Sequence, residues 1–225
     1  MSPVVPTLEL EERLLGEAPL VFGLDEVGRG ALAGPVTVAA SVIDSSTLGT
    51  AIPEGLRDSK LVTERNRPRV AERAAAWVRE TTLGWATPGE VDEAGIMGAL
   101  GLAASRALQA MRERGFDPAD GISLLDGNHD YLSRLARPVL GPLDVRTVVK
   151  GDRDRAVISA ASIAAKVSRD AVMVELHDQH EAYAWQRNKG YASAAHRAAI
   201  DEHGLTVHHR RSWAIGPALS RGEAS

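Results

Sequence analysis

The chain has 225 residues, 44% hydrophobic and 25% charged, which is enough to build a full core and too apolar for a disordered chain. It has no cysteine, so a disulfide framework, a thiolate-held metal and a thiol nucleophile are excluded. The net charge of −4 lacks the basic footprint usual for nucleic-acid binders. No apolar run is long enough to span a bilayer, and the start carries no basic n-region of a secretory signal.

Residues 1–18 read as a short amphipathic helix or a loose arm. The apolar run 19–27 predicts a strand that ends in Asp25 and Glu26 and turns at Gly28, Arg29 and Gly30. Residues 34–43, rich in β-branched side chains, predict a second strand paired with the first. Residues 44–57 read as a loop and 64–80 as a helix, with Pro68 tolerable near its first turn. A third strand is predicted at 81–87. A helix follows at 96–115, closed by Gly115. Strands are predicted at 121–127 and 144–151, and helices at 156–182 and 193–203. This order implies an α/β fold, a mixed sheet with helices on its faces. A catalytic core over 19–182 and a C-terminal helical extension and tail over 183–225 complete the expected organisation.

Two strands and one helix carry acids in suggestive places. Asp25 and Glu26 are neighbours on a strand and so point to opposite faces while it stays regular. A bend or the onset of the turn would let both reach one metal. Asp126 also ends an apolar strand, and functional groups gather at the carboxyl ends of strands in open sheets. If the two strands are neighbours, Asp25 and Asp126 meet. Asp170 follows Ser162 and Lys166 at four-residue spacing, so Lys166 can touch it, and the Ala- and Ser-rich helix around it favours close packing on the sheet. Clustered carboxylates repel. Such a cluster makes sense around hard divalent cations, Mg²⁺ or Mn²⁺. Two ions about 4 Å apart can assist both the attacking water and the leaving oxygen of a phosphodiester.

The residues also carry a family resemblance. The run from Gly23 to Gly30, then Ala33-Gly34-Pro35-Val36, resembles the opening signature of bacterial ribonuclease HII. Asp58-Ser59-Lys60, Leu125-Asp126-Gly127-Asn128 and Val149-Lys150-Gly151-Asp152 follow in the family's order. So do the helix 159–170, Lys189-Gly190-Tyr191 with His196, and His208-His209-Arg210-Arg211-Ser212. The resemblance covers roughly residues 20–213. It implies a ribonuclease H-like fold and an endoribonuclease that cuts the RNA strand of RNA–DNA hybrids. It also implies cutting 5′ of single ribonucleotides embedded in duplex DNA, leaving a 3′-hydroxyl and a 5′-phosphate. It assigns Asp25, Glu26, Asp126 and Asp170 as the catalytic acids, with Asp25, Glu26 and Asp126 on the two metal ions. Gly28, Arg29 and Gly30 become the turn whose backbone reads the 2′-hydroxyl, Lys60 a substrate contact and Tyr191 a sensor of the RNA-to-DNA junction. The expected protein is a cytoplasmic monomer with no membrane contact.

Lys60, Lys150, Lys166, Arg187, Lys189, Arg210 and Arg211 are candidate phosphate contacts. His208 to Trp213 reads either as a backbone-tracking patch or as a segment packed through Trp213. Leu61 stands where many members carry a second lysine, and the terminal Arg-Gly-Glu-Ala-Ser shows no sliding-clamp box. Three rivals remain. Ribonuclease HIII normally carries an extra N-terminal domain, a non-catalytic hybrid binder would lack an acid, and a small-substrate phosphatase would have no use for the glycine turn.

Overall fold

The computed structural model describes residues 5–57 and 59–213. Five strands form one sheet in the order β3-β2-β1-β4-β5. They are β1 (Leu20–Val27), β2 (Val36–Ile43), β3 (Glu80–Ala86), β4 (Gly121–Asp126) and β5 (Asp144–Val148). β2 runs antiparallel to both β1 and β3, while β4 lies parallel to β1 and β5 parallel to β4. Leu24 pairs with Leu125, so Asp25 and Asp126 leave the sheet side by side, as predicted for neighbouring strands.

Nine helices surround the sheet among the described residues: α1 (Glu9–Leu15), α2 (Ser45–Leu48), α3 (Arg67–Trp77), α4 (Pro88–Glu113), α5 (Ser133–Leu140), α6 (Gly151–Asp154), α7 (Ala156–Gln179), α8 (Trp185–Asn188) and α9 (Ala194–His203). On one face, Leu100, Ala103, Ala107, Leu108 and Met111 of α4 pack on Phe22, Leu24, Val38, Ala40 and Val42. On the other, Val157, Ile158 and Ile163 of α7 pack with Leu14, Val70, Val21 and Ile43. With both faces covered, every residue of β2 is buried, which explains its continuous run of small and β-branched residues. At Gly23 an added Cβ would lie 2.6 Å from the Val157 carbonyl carbon, so only glycine lets α7 approach β1 this closely.

Several boundaries moved. Helix α4 starts at Pro88 rather than 96, because Thr87 and Glu90 form a reciprocal capping box. A break at Gly95, with φ of 69°, divides it. Helix α5 was not predicted. Asp130 starts it by accepting from the Leu132 and Ser133 amides and the Ser133 hydroxyl. The expected loop 44–57 contains the short α2, capped by Asp44. Strand β5 stops at Val148, and Gly151 and Asp152 open α6 instead of ending the strand. The amino-terminal segment contains α1, whose buried Glu11 accepts the Val157 amide at 3.1 Å and caps α7.

After α7, the buried Tyr183, Trp185, Ala199 and Ile200 pack on Leu32, Ala33 and Met173. The C-terminal elements therefore close over the loop that follows β1.

Candidate active site

A cavity of about 530 Å³ opens at the end of β1 and β4. It is lined by Asp25, Glu26, Asp126, the Gly28-Arg29-Gly30 turn, Lys60 and Tyr191, all predicted, together with Ser59, Arg67, Ser162 and Lys166.

Strand alternation still holds at Asp25 and Glu26. Asp25 turns toward α7, where Ser162 lines the same cavity and its hydroxyl bonds that of Ser59 at 3.1 Å. Glu26 turns to the other face, where the Tyr131 hydroxyl donates to Oε2 at 3.2 Å and Arg29 to Oε1 at 3.4 Å. They share one cavity because both stand at the rim of the sheet, with no bend required. Burial pushes the Asp25 carboxyl well above the usual range, and the charges of Glu26 and Asp126 add to the shift. Burial also raises Glu26, partly offset by Arg29. Asp126 is raised by burial and then by the charge of Asp152, against the amides of Asp152, Gly151 and Gly127. These acids are desolvated and short of counter-charge, the electrostatic condition of a cation site.

The structure does not bring Asp170 into this cavity. Its Oδ1 accepts from Lys166 Nζ at 2.7 Å, its Oδ2 lies 3.7 Å from Arg67 Nη1, and it lines a separate pocket with Glu64, Pro68 and Lys189. Lys166 and Arg67 stand between it and the acids. The fourth carboxylate at the cluster is Asp152. It is buried, its amide donates to Asp126 Oδ1 at 3.2 Å, and its carboxylate takes Lys60 Nζ at 3.1 Å. Its signal lay in Lys150-Gly151-Asp152, a block noted for its order but not for its acid. Tyr131 was missed as well; in the sequence it is one apolar residue after a loop.

The oxygen-only donor set fits hard divalent cations. As they stand, the acids line the cavity without enclosing an ion: among the described residues no three acids or imidazoles form a ready ligand cluster.

The turn beside the acids is held from behind. Gly28 has φ of 85°, and a Cβ there would meet Arg169 Nε at 2.2 Å. Arg169 is fully buried and donates to the carbonyls of Pro35, Lys189 and Ala33 at 2.8, 2.9 and 3.0 Å. Arg210 is equally buried and donates to the carbonyls of Gly28, Arg29 and Gly34 at 2.7, 3.0 and 3.2 Å. Burial lowers its pKa to about 10. Tyr191 completes the unit. Its hydroxyl accepts the Gly28 amide at 3.2 Å, and the Arg169 guanidinium lies 5.4 Å from its ring centre.

The candidate phosphate contacts therefore divide. Lys60 and Lys166 reach the cavity. Arg210 does not face solvent but braces the turn, and Lys189 is buried against Glu64 at 3.1 Å. Lys150, Arg187 and Arg211 are exposed away from the cavity lining. The 208–213 segment packs through Trp213, over which Arg210 stacks, and Asp92 accepts the amides of Arg211 and Ser212. Asp58 and the terminal residues of the expected missing clamp box lie outside the described residues.

A mixed sheet with buried carboxylates, short of counter-charge, at its rim and a main-chain turn against them fits a metal-dependent hydrolase of ribonuclease H type. The ribonuclease HII family model matches residues 22–215. Ribonuclease HII of Streptomyces avermitilis is 45% identical over 97% of this chain and 87% of its own length, and that of Streptomyces griseus 46% over 98% and 88%. The ribonuclease HII in a PCNA complex from Archaeoglobus fulgidus superposes with a TM-score of 0.68 at 25% identity, over 86% of this chain and 95% of that one. The chain belongs to the ribonuclease HII family and is a metal-dependent endoribonuclease. Among the described residues no helix is long and apolar enough to cross a membrane.

Proposed function

We propose that the protein hydrolyses the RNA strand of RNA–DNA hybrids and cuts 5′ of single ribonucleotides embedded in duplex DNA, leaving 3′-hydroxyl and 5′-phosphate ends. The observation that carries this reading is the shared cavity: Asp25, Glu26 and Asp126 stand within it beside the Gly28-Arg29-Gly30 turn and Tyr191. Asp25, Glu26 and Asp126, with Asp152 behind them, would hold two Mg²⁺ or Mn²⁺ ions. When bound, these supply an activated water and charge stabilisation for in-line displacement at phosphorus. The Tyr131 hydroxyl orients Glu26, and the Glu26 amide holds Asp25.

A 2′-hydroxyl both donates and accepts hydrogen bonds, so main-chain groups of the turn can tell ribose from deoxyribose. At Gly30 nothing lies within 4 Å of an added Cβ, which leaves the front of the turn open to a sugar. Tyr191 offers its ring to the nucleotide at the RNA-to-DNA junction. Lys60 and Lys166 face the backbone phosphates, and Asp170 serves by holding Lys166 and Arg67 in place. The protein works as a cytoplasmic monomer, in ribonucleotide removal and RNA primer removal.

The test is digestion of a duplex with one embedded ribonucleotide in Mg²⁺ or Mn²⁺, with both product ends mapped. A cut 5′ of the ribonucleotide with a 3′-hydroxyl is expected. Cleavage of long hybrids alone would remove the junction-sensing part of the reading.

A further inference from the structure

His196 and His209 form a buried imidazole pair whose Nε2 atoms are 3.1 Å apart. Their neighbours dictate where each proton sits. Trp185 Nε1–H can only donate and lies 3.0 Å from His196 Nε2, so that nitrogen carries no proton. His196 Nδ1 therefore carries it and donates to the Tyr191 carbonyl at 2.9 Å. The Thr206 amide lies 3.0 Å from His209 Nδ1, which must accept. His209 Nε2 then carries the proton and donates to His196 Nε2. This is the assignment that sets no two N–H groups against each other, with both rings neutral and Trp185 and His209 sharing the lone pair of His196 Nε2.

The chain of bonds ends on Tyr191, whose carbonyl also accepts the Ser193 amide at 2.8 Å. One residue beyond His209, Arg210 grips the carbonyls of Gly28 and Arg29. Adjacent residues of one segment thus hold the two halves of the recognition unit, the tyrosine and the turn, at the spacing where the Tyr191 hydroxyl meets the Gly28 amide. That segment is itself tied to α4 through Asp92.

We propose that His196 and His209 are positioning residues for Tyr191. Through their fixed tautomers they set its ring against the turn, and so set the preference for a single embedded ribonucleotide over a long RNA–DNA hybrid. The proposal rests on the reading of Tyr191 as the junction contact. On a long hybrid neighbouring ribonucleotides supply other contacts to the turn, so misplacement of one tyrosine matters less there.

The test compares kcat and KM of H196F, H196N and Y191A on a duplex with one ribonucleotide and on a long hybrid. H196F keeps a ring but removes the donor to Tyr191, while Asn keeps an N–H near the position of Nδ1. H196F should lose about 5- to 30-fold more kcat/KM on the single-ribonucleotide duplex than on the hybrid, and H196N should recover most of that difference. Equal losses on both substrates, or no recovery with Asn, would reduce the pair to a packing role. If Y191A separates the substrates and H196F does not, the positioning role falls while the reading of Tyr191 stands. If neither separates them, that reading falls first. Imidazole ¹⁵N shifts of the wild-type protein check the chain without any variant: His196 should be protonated at Nδ1 alone and His209 at Nε2 alone, and the reverse pattern would overturn the assignment.

Discussion

Around Asp25, Glu26 and Asp126, burial raises all three carboxyls, and like charges add to it: Glu26 and Asp126 at Asp25, Asp126 at Glu26 and Asp152 at Asp126. Behind the turn that follows, Arg169 of α7 and Arg210 of the C-terminal segment are buried just as deeply, but each donates to three main-chain carbonyls. The first region is short of counter-charge, and the second is tied to the main chain. Repulsion among the acids is relieved only by something positive arriving from outside, so that region is built to bind ions. A turn that must discriminate one hydroxyl by main-chain geometry has to be rigid, and buried guanidinium groups supply rigidity that loop backbone lacks.

The largest expected effect separates chemistry from binding. Asp126→Asn should lower kcat by on the order of 10³-fold or more, with duplex affinity changed by less than about threefold, since Asp126 offers no phosphate contact. Single-turnover cleavage and a binding titration in Ca²⁺ measure the two. Near wild-type turnover in saturating Mg²⁺ would break the distinction.

Removing a brace should cost stability first. Arg210→Met fills the volume but leaves the carbonyls of Gly28, Arg29 and Gly34 without this donor. Buried acceptors without partners cost about 1–3 kcal/mol each. Allowing for relaxation to about 3 kcal/mol in total, a domain of this size loses about 6–12 °C in Tm. An unchanged melt would show that Arg210 touches solvent or substrate.

The imidazole pair gives the braced region a pH signature. Burial holds His209 down to about 4, and neighbouring imidazoles add to the shift. An unfolded histidine takes up its proton near 6.5. Between those values the unfolded state binds more protons, so stability falls as pH falls through the window. The buried acids have raised folded-state pKa values and act in the opposite sense. A difference between proteins isolates the histidine: the Tm gap between wild type and His209→Gln should shrink by about 4–8 °C from pH 6.5 to 4.5, from about 2 kcal/mol of linkage. A constant gap would mean that His209 is solvated.

How far the sequence could be read follows the same division. The acids at strand ends, the glycine turn and the mixed sheet were all legible, because strand alternation and local turn chemistry decide them. Asp170 misled because helical spacing correctly pairs it with Lys166 but says nothing about Arg67, which closes it off on its other side. Arg210 and Lys189 looked like surface cations because charge in a sequence carries no burial, and the Gly28 carbonyl that takes Arg210 and the Glu64 carboxylate that takes Lys189 lie far along the chain. Helix α5 was missed because Asp130, which starts it, reads equally well as a turn residue.

The smallest effect tests the division most directly, since it sets two aspartates of the same neighbourhood against each other. Asp25 is held among like charges and is raised by burial, Glu26 and Asp126 in that order. Asp25→Asn keeps an oxygen for the Glu26 amide, which donates to Oδ1 at 2.8 Å, and removes the buried charge. Asp170 instead lies between Lys166 and Arg67. Asp170→Asn takes away their counter-charge and leaves Lys166, itself partly buried with its pKa lowered by burial, facing Arg67. At pH 7.5 in EDTA the first substitution should raise Tm and the second should lower it, each by about 2–4 °C for about 1 kcal/mol. Saturating Mg²⁺ should reverse the sign for Asp25→Asn, because the wild type then gains binding energy that the variant has lost. It should leave the Asp170→Asn deficit nearly unchanged. A rise in both without metal would place Asp170 among the repelling acids after all, and a fall in both would mean that Asp25 is compensated by a structural bond stronger than its repulsion.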